Sequence, residues 1–290
     1  MIRVRVKIFT TFGTPASSIE IFKRVLQYWP DPSYGRDIVF TEDDDYTHAV
    51  LLNCPMPQLS IPKENVLGLA AEPPQFLGLT KGFVNYAKDH IGHYYIGETL
   101  LCDGSSLPPP FTRYHGFMWH QPIPRELPIK TKLMSIVFSN KCDIRVPGYW
   151  LRHSLVRAIL GTNLPIDIYG RGCAYYPSDV RLKGEFINSE PYADYNFTIV
   201  IENFQTHSYF SEKLLDALAY EATPLYFGAT ALSTYLPDCA IKLSGNVKED
   251  MALITAVCQS PDHYRRPFNR LDLAKHINLI THMKSLWFKV

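Results

Sequence analysis

The stretch Asn196 to Ala229, NFTIVIENFQTHSYFSEKLLDALAYEATPLYFGA, limits the possible folds more than any other part of the chain. Phe197 to Ile201 is a short continuous apolar run with β-branched residues, the pattern of a strand buried on both faces. The polar residues Glu202 to Tyr209 form a loop. Ser211 is then a candidate N-cap, and Leu214, Leu215, Leu218, Ala219 and Ala222 recur at helical spacing until Thr223-Pro224 stops the helix and Pro224 to Phe227 opens another strand. A β-loop-α-β unit of this kind collects ligands at the carboxyl end of its strand, where the first-turn amides of the helix attract a diphosphate. Lys213 stands in that first turn, against the usual preference for acids there. A cation at a positive helix end weakens the helix unless an anion sits opposite, so the placement points to a bound phosphate group. The competing reading makes Glu212 and Lys213 solvated surface charges.

In order and spacing this segment resembles the donor-binding motif of the α-1,3/4-fucosyltransferases, glycosyltransferase family 10. That motif runs Phe-Glu-Asn, a short loop, Asp-Tyr-(Val/Ile)-Thr-Glu-Lys, a helix, then Val-Pro-(Val/Ile) and a glycine. The matching residues are Glu202-Asn203, Tyr209, Glu212-Lys213, Pro224 and Gly228, while Ile201 replaces the Phe, Ser208 the Asp and Ser211 the Thr. Upstream, Leu133 to Asn140 is similar to the family's strand ending in Ser-Asn, and the following GYWLRHSLVRAIL carries the family's arginine as Arg152. Ile166 to Arg171, IDIYGR, resembles Val-Asp-Val-Tyr-Gly-Arg. Ala70 to Phe76, AAEPPQF, is similar to the acidic Glu-Ser-Pro site where the family places its catalytic base.

The resemblance implies an α/β chain of GT-B fold, with two Rossmann-like domains facing a central cleft. Residues 1–125 would form the acceptor-side domain and 126–290 the domain binding a GDP-sugar, with the last helix free to pack back on the first. It implies inverting transfer of L-fucose from GDP-fucose to a hydroxyl of an acceptor glycan, α-1,3 to N-acetylglucosamine. Another GDP-deoxysugar donor would satisfy the same phosphate contacts, and a catalytically silent nucleotide- or carbohydrate-binding protein is the alternative from a different class. A nucleoside diphosphate is already a good leaving group, so no general acid is demanded, but cations must take up its charge. Lys213 serves, joined by Arg152 or Arg171 and by the helix amides. No cofactor and no divalent metal is required on this reading.

Inversion needs a base on the face opposite the diphosphate. Glu72 is the candidate, since it follows the apolar run VLGLAA and precedes Pro73-Pro74, which bias it towards an extended backbone at a strand end. A lone Glu before two prolines also fits a surface loop, and Glu98, in YYIGETL, is the rival acid. Glu202 and Glu212 correspond to the family's donor-domain acids, which contact the ribose or the fucose; Glu202 fits a structural partner for loop amides equally well. Asn203 and Tyr195 line the nucleotide or sugar pocket, with Tyr195 as readily a core residue. Ser139 and Asn140 end the first donor-domain strand near the guanosine, where turn-forming residues are expected with or without a ligand.

Composition narrows the classes further. A net charge of +1 over 290 residues, with both signs mixed throughout, leaves no footprint for nucleic acid or an anionic membrane. Six cysteines at irregular spacing, with no CxxC pair, read as reduced thiols. The chain opens on an amphipathic strand, Ile2 to Phe9, with neither a signal-like segment nor a run of about 18 apolar residues, so the expectation is a soluble cytoplasmic protein of bacterial or viral type. Gly13-Thr14-Pro15 turns into a helix starting near Ser17 or Ser18, and Asp37 to Phe40, Ala49 to Leu52 and Val66 to Ala70 are short strands. Gln121 to Pro128 is the interdomain linker, and one long helix is expected over Leu271 to Phe288. Glu42 to Asp45 reads as a solvated turn, and the pairs His90/His93 and His115/His120 lack zinc spacing, so no metal site is expected.

Overall fold

The computed structural model describes residues 3–29, 31, 33–101, 103–115, 120–187 and 189–288. By compactness the chain divides into two units: unit 1 takes Met1–Trp119, Thr206–Tyr209 and Ala274–Val290, and unit 2 takes His120–Gln205 and Phe210–Leu273.

Unit 1 runs β1 (Val4–Thr10), α1 (Pro15–Arg24), β2 (Ile38–Thr41), β3 (His48–Leu52), β4 (Val66–Leu69), α2 (Pro74–Leu77), α3 (Lys81–His90), β5 (His93–Ile96) and β6 (Phe111–Arg113). Its strands form one parallel sheet in the order β2-β1-β3-β4-β5-β6, so the direction of chain progression reverses between β1 and β3. Helical crossovers cover both faces of such a sheet. The central strands therefore read as unbroken apolar runs, and β4 is buried at every position. Ile2, the expected start of β1, lies outside the described residues. α1 begins at Pro15, earlier than the expected Ser17 or Ser18, because Thr14 accepts from the Ser17 amide while the Ser17 hydroxyl accepts from the Thr14 amide. This reciprocal cap fixes the start, and proline at the first position loses no bond that the helix would have made.

Unit 2 runs β7 (Lys132–Val137), α4 (Pro147–Leu160), β8 (Ile166–Tyr169), β9 (Leu182–Gly184), β10 (Tyr195–Ile201), α5 (Glu212–Ala219), β11 (Thr223–Phe227), α6 (Leu232–Tyr235), β12 (Ile241–Lys242), α7 (Val247–Gln259) and α8 (Pro261–Tyr264), and α9 (Arg270–His276) begins in it. Its parallel sheet has the order β12-β11-β10-β7-β8-β9, the doubly wound arrangement of dinucleotide-binding folds, with the switch point between β7 and β10. Phe197 to Ile201 is buried throughout, as the unbroken apolar run predicts. Ser211 caps α5 as expected.

The single C-terminal helix expected over Leu271 to Phe288 is two helices, α9 and then α10 (Leu279–Trp287). Asn278, wholly buried, caps α10 by accepting from the Thr281 amide at 3.4 Å. A short amide side chain competes with the helical backbone for its own hydrogen bonds and so breaks the run. From α10, Leu279, Ile280 and Met283 enter the core of unit 1 beside Val6, Ile8 and Phe22.

Candidate active site

Parallel α/β sheets bind ligands beyond the carboxyl ends of their strands, where the strand order reverses. In unit 2 that place is the pair β7 and β10, whose ends deliver Ser139 and Asn140 from one strand and Glu202 and Asn203 from the other. α4 starts directly against the end of β10. The Gly148 amide donates to the Asn203 carbonyl at 2.9 Å, and a Cβ at Gly148 would overlap the Glu202 carbonyl oxygen, so only glycine allows this approach. One turn further on, Arg152 is 4% exposed. Its Nε donates to the Ile201 carbonyl and its Nη1 and Nη2 to Asn203 Oδ1, each at 3.0 Å. The guanidinium thus clamps the end of β10 and fixes the Asn203 amide.

Glu202 is wholly buried. Its carboxylate accepts from the Ser211 amide at 2.8 Å and from the Ser211 hydroxyl at 2.8 and 3.0 Å. Lys213 Nζ lies 3.1 Å from Ser211 Oγ and 2.7 Å from Glu212 Oε1. Burial pushes the Glu202 carboxyl up, with Lys213 pulling the other way. For Glu212 burial also acts upward, but the adjacent ammonium outweighs it and holds the carboxyl below its ordinary value. Burial would discharge Lys213, yet Glu212 and Glu202 together keep it charged and raise it. The anion opposite Lys213 is therefore supplied by the chain itself. The Lys213 and Glu212 side chains are 27% and 44% exposed, so the pair is only partly solvated and remains reachable by a ligand.

Ser139 and Asn140 stand just beyond β7, the first accepting from the Lys141 amide at 3.3 Å, the second from the Tyr175 hydroxyl at 3.1 Å through its carbonyl. Arg171, past the end of β8, pairs with Glu185 at 3.3 Å and its side chain is 69% exposed. Tyr195 is not brought to this end. It opens β10, about 23 Å along the strand from Glu202 at roughly 3.3 Å per residue. There it is 1% exposed, donates to Asp167 at 2.6 Å and bonds the Tyr169 hydroxyl at 2.8 Å, so it belongs to the core. Burial and then Asp167 push its phenol far up. The tyrosine that does lie in the field of this cluster is Tyr192, buried and raised by that burial and then by Asp216, Glu212 and Glu202. Nothing in the local sequence singles it out, because a tyrosine in a polar loop has no periodicity to declare its burial.

In unit 1, Glu72 follows the carboxyl end of β4. Asn53, at φ 66°, sets the path to it: the Asn53 side chain accepts from the Ala71 amide at 2.8 Å, and its carbonyl accepts from Tyr94 at 2.6 Å. Such a left-handed backbone is tolerated by asparagine more than by most residues. Glu72 accepts from the Tyr209 hydroxyl at 3.2 Å. The rival acid Glu98 is a strut: Oε1 accepts from the Thr99 and Leu100 amides at 2.9 and 3.1 Å and pairs with Arg113 at 3.2 Å, while Oε2 accepts from the His207 amide at 3.1 Å.

The acidic run is an ion-paired turn, Asp43 and Asp45 meeting Arg5 and Asp44 meeting Lys7. Among the described residues no group of three or more His, Cys, Asp or Glu is placed to hold a metal ion, and no helix is long and apolar enough to cross a membrane. The five described cysteines are free thiols, and Cys102 lies outside the described residues. A cavity of about 680 Å³ in unit 2 is lined by Lys130, Asn196, Glu221, Thr223, Arg266 and Phe268 among others. Asn196 and Thr223 of its lining stand at the starts of β10 and β11, and none of its residues belongs to the Glu202–Lys213 cluster.

Residues 127–281, more than half of the chain, match the profile of the C-terminal part of glycosyltransferase family 10 (fucosyltransferase). A crystal structure of an α1,3-fucosyltransferase superposes with a TM-score of 0.55 at 14% identity, covering 99% of this chain and 89% of its own. Anabaena Alr3699/HepE, solved in complex with UDP-glucose, superposes with a TM-score of 0.60 at 8% identity, covering 98% of each chain. At these identities the likeness is one of fold, the GT-B fold of two Rossmann-like domains expected from the sequence. Curated protein sequences give no match. The family profile covers every residue of the β10–α5 cluster and does not reach Glu72.

Proposed function

The chain belongs to glycosyltransferase family 10, the fucosyltransferases, and on that footing we propose that it is an inverting enzyme moving L-fucose from GDP-fucose to a hydroxyl of an acceptor glycan, in an α-1,3 link to N-acetylglucosamine. The observation that carries this reading is the cluster of Glu202, Ser211, Glu212 and Lys213 at the carboxyl end of β10, at the switch point of a dinucleotide-type sheet. Lys213 is a cation already in place and already charged when the diphosphate departs, so little reorganisation accompanies the bond cleavage. The capped first turn of α5 adds its partial positive charge. In the reaction the acceptor oxygen bonds to C1 of the fucose, the C1–O bond to the diphosphate breaks, GDP leaves with the electron pair, and Glu72 takes the proton of the attacking hydroxyl. Ser139, Asn140 and Asn203 border the donor. Arg152 contributes by holding Asn203, and Arg171, exposed past β8, is a second cation for the diphosphate. With the leaving charge met by Lys213 and helix amides, the reaction needs no divalent metal.

The test is incubation with labelled GDP-fucose and a panel of acceptor glycans, with NMR of the product for linkage and anomeric configuration. Labelled fucose in α linkage on a lactosamine-type acceptor, with turnover retained in excess EDTA, is the expected result. GDP binding without transfer to any acceptor would sink the catalytic reading. Faster turnover of another GDP-deoxysugar would reassign the donor, and loss in EDTA restored by manganese would reinstate a metal.

A further inference from the structure

Thr206–Tyr209 sits inside the motif segment but packs in unit 1, while Phe210 onwards, with Ser211 and Lys213, belongs to unit 2. Backbone amides of this strap are held by unit 1. The Ser208 amide donates to the Gly97 carbonyl at 2.9 Å, and the His207 amide donates to Glu98 Oε2 at 3.1 Å. The approach is close enough that a Cβ on Gly97 would overlap Tyr209. Tyr209 is 5% exposed, and its hydroxyl reaches Glu72 Oε2 at 3.2 Å. The phenol is thus presented to Glu72 from a buried side chain on a backbone held through the His207 and Ser208 amides.

We propose that Tyr209 is a positioning residue for Glu72. Its hydroxyl orients the carboxylate and favours the ionised form that can take a proton, and Glu98 keeps Tyr209 there by holding the His207 amide. A hydrogen bond donated to a carboxylate stabilises the charged form over the neutral one, which favours a base that is ionised before the substrate hydroxyl arrives. The inference rests on the reading of Glu72 as the base.

Three variants test it. Tyr209→Phe keeps the backbone and Cβ against Gly97 and removes only the hydroxyl. Its kcat is expected to fall about 10-fold, the factor that corresponds to one ordinary net hydrogen bond, with the acid limb of the kcat/KM profile displaced to higher pH and the GDP dissociation constant unchanged. Glu98→Gln, which leaves Tyr209 itself intact, is expected to move the same limb in the same direction and less far. Glu72→Gln is the reference and should lose about 10²- to 10⁴-fold in kcat, the weight of a general base. An inactive Glu72→Gln together with an unmoved acid limb in Tyr209→Phe removes the positioning role and leaves the base. Weaker GDP binding in Tyr209→Phe with an unmoved limb does the same, assigning Tyr209 to the donor. Full turnover in Glu72→Gln removes the base reading itself, and this inference with it.

Discussion

Ser211 caps α5, donates twice to the buried Glu202, and lies 3.1 Å from the Lys213 ammonium. Removing its hydroxyl should cost about 1 kcal/mol for the cap and a further ~1–3 kcal/mol for a buried carboxylate deprived of a donor. Denaturant unfolding of Ser211→Ala against Ser211→Thr reads this directly; the threonine is expected to keep most of the stability, and two equal variants would show that the hydroxyl holds nothing. Lys213→Ala acts on function. GDP affinity and transfer rate should fall together by about 10²- to 10³-fold, or on the order of 3 kcal/mol, as calorimetry and initial rates would show; full activity would place the ammonium outside the site. Both residues are legible in the sequence because capping and first-turn charge are local. Tyr195 was open between pocket and core in the sequence, and only the direction of β10 decides for the core.

At the scale of elements, β10, α5 and β11 follow from apolar runs and a cap, whereas the join between α9 and α10 does not, because Asn278 breaks the helix only where its side chain is buried and cannot bond water. Beside that join the His276 ring packs against His115 in a tilted pair, ring centroids 4.6 Å apart and planes 43° apart. Burial, with His282 behind it, pushes the His276 imidazole down to about 4. A histidine kept neutral in the fold contributes its full stability above the unfolded-chain value of about 6.5, and loses it as pH falls from there towards 4, about 3 kcal/mol in all. Urea titrations from pH 7 to 4 should show this acid limb in the native chain and a flatter one in His276→Gln; the same slope in both would mean that the imidazole does not govern acid stability.

At the scale of the whole molecule, unit 1 is assembled from three stretches of chain, the last of them Ala274–Val290. A protein ending at Leu273 would keep both segments of unit 2 and lose Leu279, Ile280 and Met283 from the core of unit 1. Large apolar side chains deleted from a core cost about 2–5 kcal/mol each, and three such losses approach or exceed the ~5–15 kcal/mol that an ordinary domain possesses. Hydrogen exchange on the truncated protein should find unit 1 strands unprotected and unit 2 strands protected. Persistent protection in β1 and β3 would make the C-terminal helix dispensable.

The sequence by itself determined the alternation of strand and helix that makes two Rossmann-like units, the β10–α5 turn, and the charged pair Glu212-Lys213 at its start. These follow from periodicity, capping and helix-end charge, each a pattern local in the sequence. Only the tertiary structure decided that Arg152 clamps β10, that Glu98 is a strut, that Tyr192 lies by the cluster while Tyr195 does not, and that Tyr209 meets Glu72 within unit 1. These depend on groups distant in sequence: Tyr195 and Asp167 stand 28 positions apart, and Tyr209 and Glu72 stand 137 apart. A local pattern specifies which face of an element is apolar, but the partner that a buried polar group finds is set by how the sheets wind, and strand order is not encoded in any single segment.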